Sequence, residues 1–261
     1  MIAYIQKVWY TRFFWWHLVL SDIRARFRRS YLGIIWAILS PLLLATILTL
    51  VMSFIFKTQP LSYGPYVFSG LIVWDVVTTS GNSGCDAFVK AESYIKQFKH
   101  PLFIYSLRTV LVSVIYMLYA LAGLFIWMLF EHPHHIGVSL IWLIPALVML
   151  TYVSLPVAVL CGITNTKFRD FSQLLTLIFQ MIYYISPIFI SDQTLLASPK
   201  LRIMLMCNPV YHLLELFRAP ILHGQSPTGL DFLVVFGAGL LLWIWAMIVL
   251  SKNESRVIHY L

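Results

Sequence analysis

Charge is what this sequence has least of. Asp, Glu, Lys and Arg make up 11% of the 261 residues, while hydrophobic residues reach 60% and aromatics 16%. Soluble domains carry about 25% charged residues, so one large aqueous core is excluded and several membrane helices are expected. The ten acidic residues are scattered roughly one per loop or helix end. No close carboxylate pair is present for general acid–base work, and neither HExxH nor GxSxG occurs. GxxxxGKS/T is also missing, so the chain cannot cradle nucleotide phosphates in a P-loop of its own. Cys85, Cys161 and Cys207 form no metal-type spacing and read as packing residues. Three histidines crowd EHPHH (131–135), but Pro133 interrupts them and no acidic or thiol cluster completes a site; a solvated external turn is expected. A short apolar core with a small-residue cleavage site is not seen before residue 33, which predicts no cleaved signal peptide. The excess of Lys and Arg, +8 formally, suggests a polyanion at first sight. No aromatic-interleaved basic groove accompanies it, which argues against nucleic acid.

What is present is a sharp join between charge and apolarity. In SDIRARFRRSYLGIIWAILSPLLL (21–44), Arg24, Arg26, Arg28 and Arg29 fall within six residues, and a charge-free run follows from Gly33 to Phe56. Its 24 residues make about 36 Å of helix, enough for a hydrocarbon core of about 30 Å. Further runs cover 66–84, 109–130, 138–163, 171–190 and 232–250, giving six predicted transmembrane helices in an all-α integral membrane protein. Fourteen of the eighteen Lys and Arg residues fall before the first run, in 85–108, in 164–170 or in the tail. That asymmetry places both termini in the cytoplasm. Residues 1–32 hold Trp9, Phe13, Trp16, Leu20, Ile23 and Phe27 three or four apart, an amphipathic helix suited to the membrane interface.

Three stretches stand apart. Asp75 interrupts the second run, where an ionisable residue either faces a lumen or bonds a neighbouring helix. The connection 85–108 contains AESYIKQF, two turns of helix ahead of Pro101, which serves either as a connector or as a docking element. Residues 201–222 are broken at Asn208-Pro209 and carry Arg202, Glu215 and Arg218, so re-entrant external half-helices suit them better than a crossing. A helix would put Glu215 and Arg218 on one face. Six runs without a catalytic set make transport the leading class.

Several of these stretches resemble the membrane subunit of type-2 ABC exporters of lipid-linked polysaccharide, the O-antigen, teichoic-acid and capsule export family. The carriers are Arg26, Arg29, Leu32, Gly33, Trp36 and Pro41 at the join, FRDFSQLL (168–175), ISPIF (185–189) and NPVYHLLELFRAPILHG (208–224). They occur in the family's order over nearly the whole chain. The resemblance implies a homodimer working with two copies of a separate ATPase subunit, which binds ATP and Mg; no cofactor is expected in this chain. It implies that Tyr94, Ile95, Lys96, Gln97 and Phe98 form a coupling helix. The four arginines would meet lipid phosphates and incoming substrate, and Asn208, Pro209, Glu215 and Arg218 would belong to an external gate. A glycan path would use Trp36, Trp74, Asp75, Tyr183 and Tyr184, with Thr78, Thr79 and Asn82 as hydroxyl partners, although aromatic belts occur at any membrane interface. Asp75 departs from the neutral residue the family pattern leads one to expect. The implied function is export of undecaprenyl-linked polysaccharide, O-antigen foremost, across a bacterial inner membrane. A sister exporter of drugs or small lipids and an intramembrane enzyme are the alternatives.

Overall fold

A computed structural model of the chain describes residues 2–28, 30–98, 100–131, 137–189 and 199–260. Every regular element among them is helical, and four segments are long and apolar enough to cross a membrane: Gly33–Ile55, Phe103–Leu129, Val138–Lys167 and Gly229–Glu254. In chain order the helices are α1 (Ile2–Tyr10), α2 (Arg12–Phe27), α3 (Trp36–Phe56), α4 (Pro60–Ala87), α5 (Glu92–Gln97) and α6 (Phe103–Glu131). They continue with α7 (Leu143–Lys167), α8 (Phe171–Ile185), α9 (Pro199–Met206), α10 (Pro209–Leu222) and α11 (Gly229–Tyr260). Short 3-10 turns at Gly33–Ile35 and Val138–Trp142 lead into α3 and α7.

Two of the six expected crossings fall outside the four apolar segments, for opposite reasons. α4 has 28 residues, about 42 Å of helix, but is rich in Gly, Ser and Thr. α8 is apolar but has 15 residues, about 22 Å, less than the hydrocarbon thickness. Polarity in α4 is affordable because the helix is central, packed by α3, α6, α7, α8 and α10. Its small residues let neighbouring backbones come close. A Cβ on Gly84 would lie 2.8 Å from the Ala158 Cα, and one on Gly162 would lie 2.9 Å from the Gly84 carbonyl oxygen. Asn165 Nδ2 then donates to the Cys85 carbonyl at 2.9 Å, and the Ser80 and Ser113 hydroxyls meet at 2.8 Å between α4 and α6. These bonds satisfy polar groups that lipid could not.

The N-terminal stretch, which reads as one amphipathic helix over 1–32, is divided at Thr11 into α1 and α2. Half of its stripe is turned outward: Trp9, Phe13 and Trp16 are exposed and Leu20, Ile23 and Phe27 half-buried, while Leu18 is buried with Tyr4, Val8, Phe14 and Trp15 packed nearby. The histidine-rich turn at 132–135 lies outside the described residues.

Candidate transport cavity

A cavity of about 630 Å³ opens among α2, α3, α4, α6 and α8. Helical spacing builds its walls. α4 contributes Leu71, Trp74, Asp75, Thr78, Thr79 and Asn82, which recur at three- and four-residue intervals and so share one face. α8 answers with Thr176, Phe179, Gln180, Tyr183 and Tyr184 at the same intervals. Trp36, Ser40 and Pro41 come from α3, Ser113 and Tyr116 from α6, and Arg26 from α2. All five residues of the expected glycan path therefore face one space, together with Thr78, Thr79 and Asn82.

Their environments differ. Trp74 is buried, edge-on to Phe179 with centroids 6.0 Å apart and 6.5 Å from Tyr183, so it presents little of its ring to the cavity. Trp36 and Tyr184 are open, at 42% and 61% exposure. Asp75 faces the cavity, and the Thr79 hydroxyl, one turn on, donates to its Oδ1 at 3.3 Å. Thr176 reaches across from α8 to Asn82 Oδ1 at 3.4 Å. The surface thus alternates aromatic faces with hydroxyl and amide groups.

The four arginines of the join do not act from one place. At about 100° per residue, Arg24 and Arg28 share a side of α2 while Arg26 lies nearly opposite. Arg26 turns into the cavity with its guanidinium 4.4 Å from the Tyr116 ring centroid. Arg24 and Arg28 line a separate open hollow with His17 and Ser21. Arg29 lies outside the described residues.

At one end of the bundle, α10 forms a polar clamp. Asn208 caps it by accepting from the Val210 N–H at 2.9 Å, Pro209 takes the first helical position, and Asn208 Nδ2 donates to Ser186 Oγ at 3.1 Å. Arg218 is 1% exposed. Its Nη1 donates to the Tyr66 hydroxyl and its Nη2 to the Ile188 carbonyl, both at 2.9 Å, and the guanidinium lies 3.7 Å from the Tyr66 ring centroid. Tyr66 in turn donates to the Pro187 carbonyl at 3.2 Å. Glu215 sits half-buried one turn earlier. Nearby, His212 and Asp231 are buried together at 2.7 Å, and His212 Nε2 lies 3.0 Å from the Met206 carbonyl oxygen. Neither His212 nor Tyr66 is singled out by the sequence, because their partners lie in other helices.

The two chain termini meet at the opposite end. The Tyr4 hydroxyl and the Leu102 N–H both donate to Glu254 Oε1, at 3.0 and 3.4 Å. Burial, with the Glu254 carboxylate adding to it, pushes the Tyr4 hydroxyl above the usual tyrosine range. Arg108 at the start of α6 grips Asp22 of α2 with two N–H groups, and Lys167 donates to Asn253 Oδ1 at 2.5 Å. α5 lies beside this clasp. Ile95 is buried in the same apolar cluster as Leu18, Phe88 and Leu102, so it anchors the helix instead of presenting a surface. Tyr94, Lys96, Gln97 and Phe98 remain exposed, with Lys96 paired to Glu92 at 2.5 Å.

Set against known proteins, residues 14–222 match the family described as ABC-2 type transporter. The O-antigen export system permease protein RfbA of Klebsiella pneumoniae is 20% identical over 238 residues, 90% of each chain. The RfbA protein of Myxococcus xanthus, of the same description, is 20% identical over 256 residues, 98% of each. The polysialic acid transport protein KpsM of Escherichia coli is 27% identical over 229 residues, 84% of this chain and 86% of its own.

Proposed function

The chain belongs to the ABC-2 type transporter membrane family, and from that premise we propose that it is the permease subunit of an ATP-driven exporter of undecaprenyl-linked polysaccharide, with O-antigen as cargo, in a bacterial inner membrane. The observation that carries this reading is the cavity in which open aromatic faces alternate with hydroxyls and amides. Sugar rings present C–H faces that pack on aromatics, and their hydroxyls need polar partners in a space that excludes bulk water. Relatives named for O-antigen export and for polysialic acid transport cover most of the chain and supply the substrate class.

The remaining parts take roles consistent with that cargo. α3, α4, α6, α7, α8 and α11 make six crossings, with α4 shielded by its neighbours, and α9–α10 fold back as the external gate. Both termini lie in the cytoplasm, where α1–α2 rest in the interface with Trp9, Phe13 and Trp16 toward lipid. Arg26 receives the lipid-linked phosphate at the cavity's mouth, while Arg24, Arg28 and Arg29 hold bulk headgroups. The chain works as a homodimer. α8 supports this, since Leu174, Leu177, Ile178, Met181 and Ile185 are left exposed beside its cavity face. Two ATPase subunits bind ATP and Mg and dock on α5 through Tyr94, Lys96, Gln97 and Phe98. The clasp around Leu102 then passes their closure into α6 as a rigid-body shift.

The test is glycolipid translocation in proteoliposomes holding the chain and its ATPase. We expect ATP-dependent loss of accessibility of the glycan to an external glycosidase. ATP-independent movement, stimulation of the ATPase by drugs alone, or no movement of any glycolipid would overturn the reading.

A further inference from the structure

Resting on the reading of this cavity as the glycan's path, we propose that Asp75 selects for uncharged, hydroxyl-rich sugar units and turns away carboxylated ones. Among the described side chains that line the cavity, Arg26 is the one basic group and Asp75 the one carboxyl group. α2 supplies the cation and α4 the anion, while α3, α6 and α8 present none of either sign. Arg26 is held over Tyr116 beside the α2 end of the space, positioned for a phosphate group. A phosphate bound there pairs with the guanidinium and leaves the Asp75 carboxyl without a basic partner among the described lining residues.

The carboxylate is also free to act. Thr79 donates to Oδ1, and Oδ2 accepts no hydrogen bond from the described residues. The neighbouring Thr78 hydroxyl is turned back to backbone carbonyls of its own helix, at 3.1 and 3.2 Å, and does not cover it. Asp75 is exposed to the cavity rather than enclosed by packing. A carboxylate with an open oxygen accepts sugar hydroxyls through charge-assisted bonds, whereas a carboxylated unit brought to the same place meets a like charge across a restricted, low-dielectric space.

The experiment is equilibrium binding of two fluorescent prenyl-diphosphate tetrasaccharides to the detergent-purified chain with its ATPase subunit. One carries N-acetylhexosamines throughout and the other alternates them with hexuronic acid. The wild type should bind the neutral glycolipid about tenfold more tightly. Asp75→Asn, and Asp75→Ser as a second neutral variant, should bring the two within about twofold, and Asp75→Glu should keep the preference. Equal binding by the wild type, or an unchanged ratio in both neutral variants, overturns the charge selection while leaving the path intact. Binding of neither glycolipid, or binding untouched by both Arg26→Gln and the cavity-filling Ala120→Trp, overturns the path and the selection with it.

Discussion

Arg218 and Arg26 are the same side chain put to opposite uses. Arg218 is closed in by Tyr66 and the 186–189 segment, and both of its terminal nitrogens are spent on partners within the fold. Arg26 rests on one aromatic face and turns its guanidinium into an open cavity. The contrast extends to their surroundings. The clamp at α10 interlocks Asn208 with Ser186 and His212 with Asp231, whereas the cavity leaves Asp75 with one hydroxyl donor. A polar group whose bonds are completed within the fold stabilises a conformation, while one with capacity left over is available to a ligand. The clamp is therefore structural in its energetics, and the cavity is where polar groups are held ready.

This contrast can be broken by substitution. The largest effect is expected from Arg218→Ala, which strands the Ile188 carbonyl and part of the Tyr66 hydroxyl in a dry site. Thermal unfolding in detergent should show a loss of about 3 kcal/mol, and a loss below about 1 kcal/mol would remove the distinction between the two arginines. Gly84→Val should cost about 2–3 kcal/mol, because its side chain must displace the α7 backbone at Ala158. Measured by the same assay, a neutral outcome would mean that α4 and α7 do not approach as described.

Smaller effects belong to the clasp where the termini meet. A double-mutant cycle on Asp22→Ala and Arg108→Ala should return a coupling of about 1–2 kcal/mol, reflecting a half-buried bidentate pair. Tyr4→Phe should cost about 1 kcal/mol at neutral pH. Because the folded state raises the Tyr4 pKa, its contribution is full below the unfolded value of about 10 and is lost as pH climbs toward the folded one. Stability of the wild type should thus fall more steeply above about pH 10 than that of Tyr4→Phe, and parallel curves would refute the Glu254 contact. Smallest of all, Arg26→Gln should change stability by about 0.5 kcal/mol or less while weakening binding of a prenyl-diphosphate lipid. A stability loss equal to that of Arg218→Ala would show the two sites to be alike.

Much of this was readable in advance wherever one helix carries the whole pattern. The runs at 33–56, 109–130, 138–163 and 232–250 are apolar over their full length, and each overlaps a long helix. The α4 and α8 stripes are likewise visible as three- and four-residue spacings, so Trp74, Asp75, Tyr183 and Tyr184 could be named together. Ile95 was less legible. Its place among five residues of a candidate docking helix gives no sign that it faces the chain's own core, which depends on Leu18 and Leu102 arriving from elsewhere. The same holds for the Tyr4–Glu254 contact, whose partners are 250 residues apart.

The sequence by itself determined the class of solvent, the helical repeat and the basic end of the chain, because hydrophobic runs and charge placement act locally and need no partner. Only the tertiary structure decided which polar groups are satisfied. It divided the arginines of the join between a cavity and an outer hollow, sealed Arg218 behind Tyr66, and left Asp75 open. The reason is physical: a hydrogen bond needs both of its ends, and for these residues the second end lies on another helix.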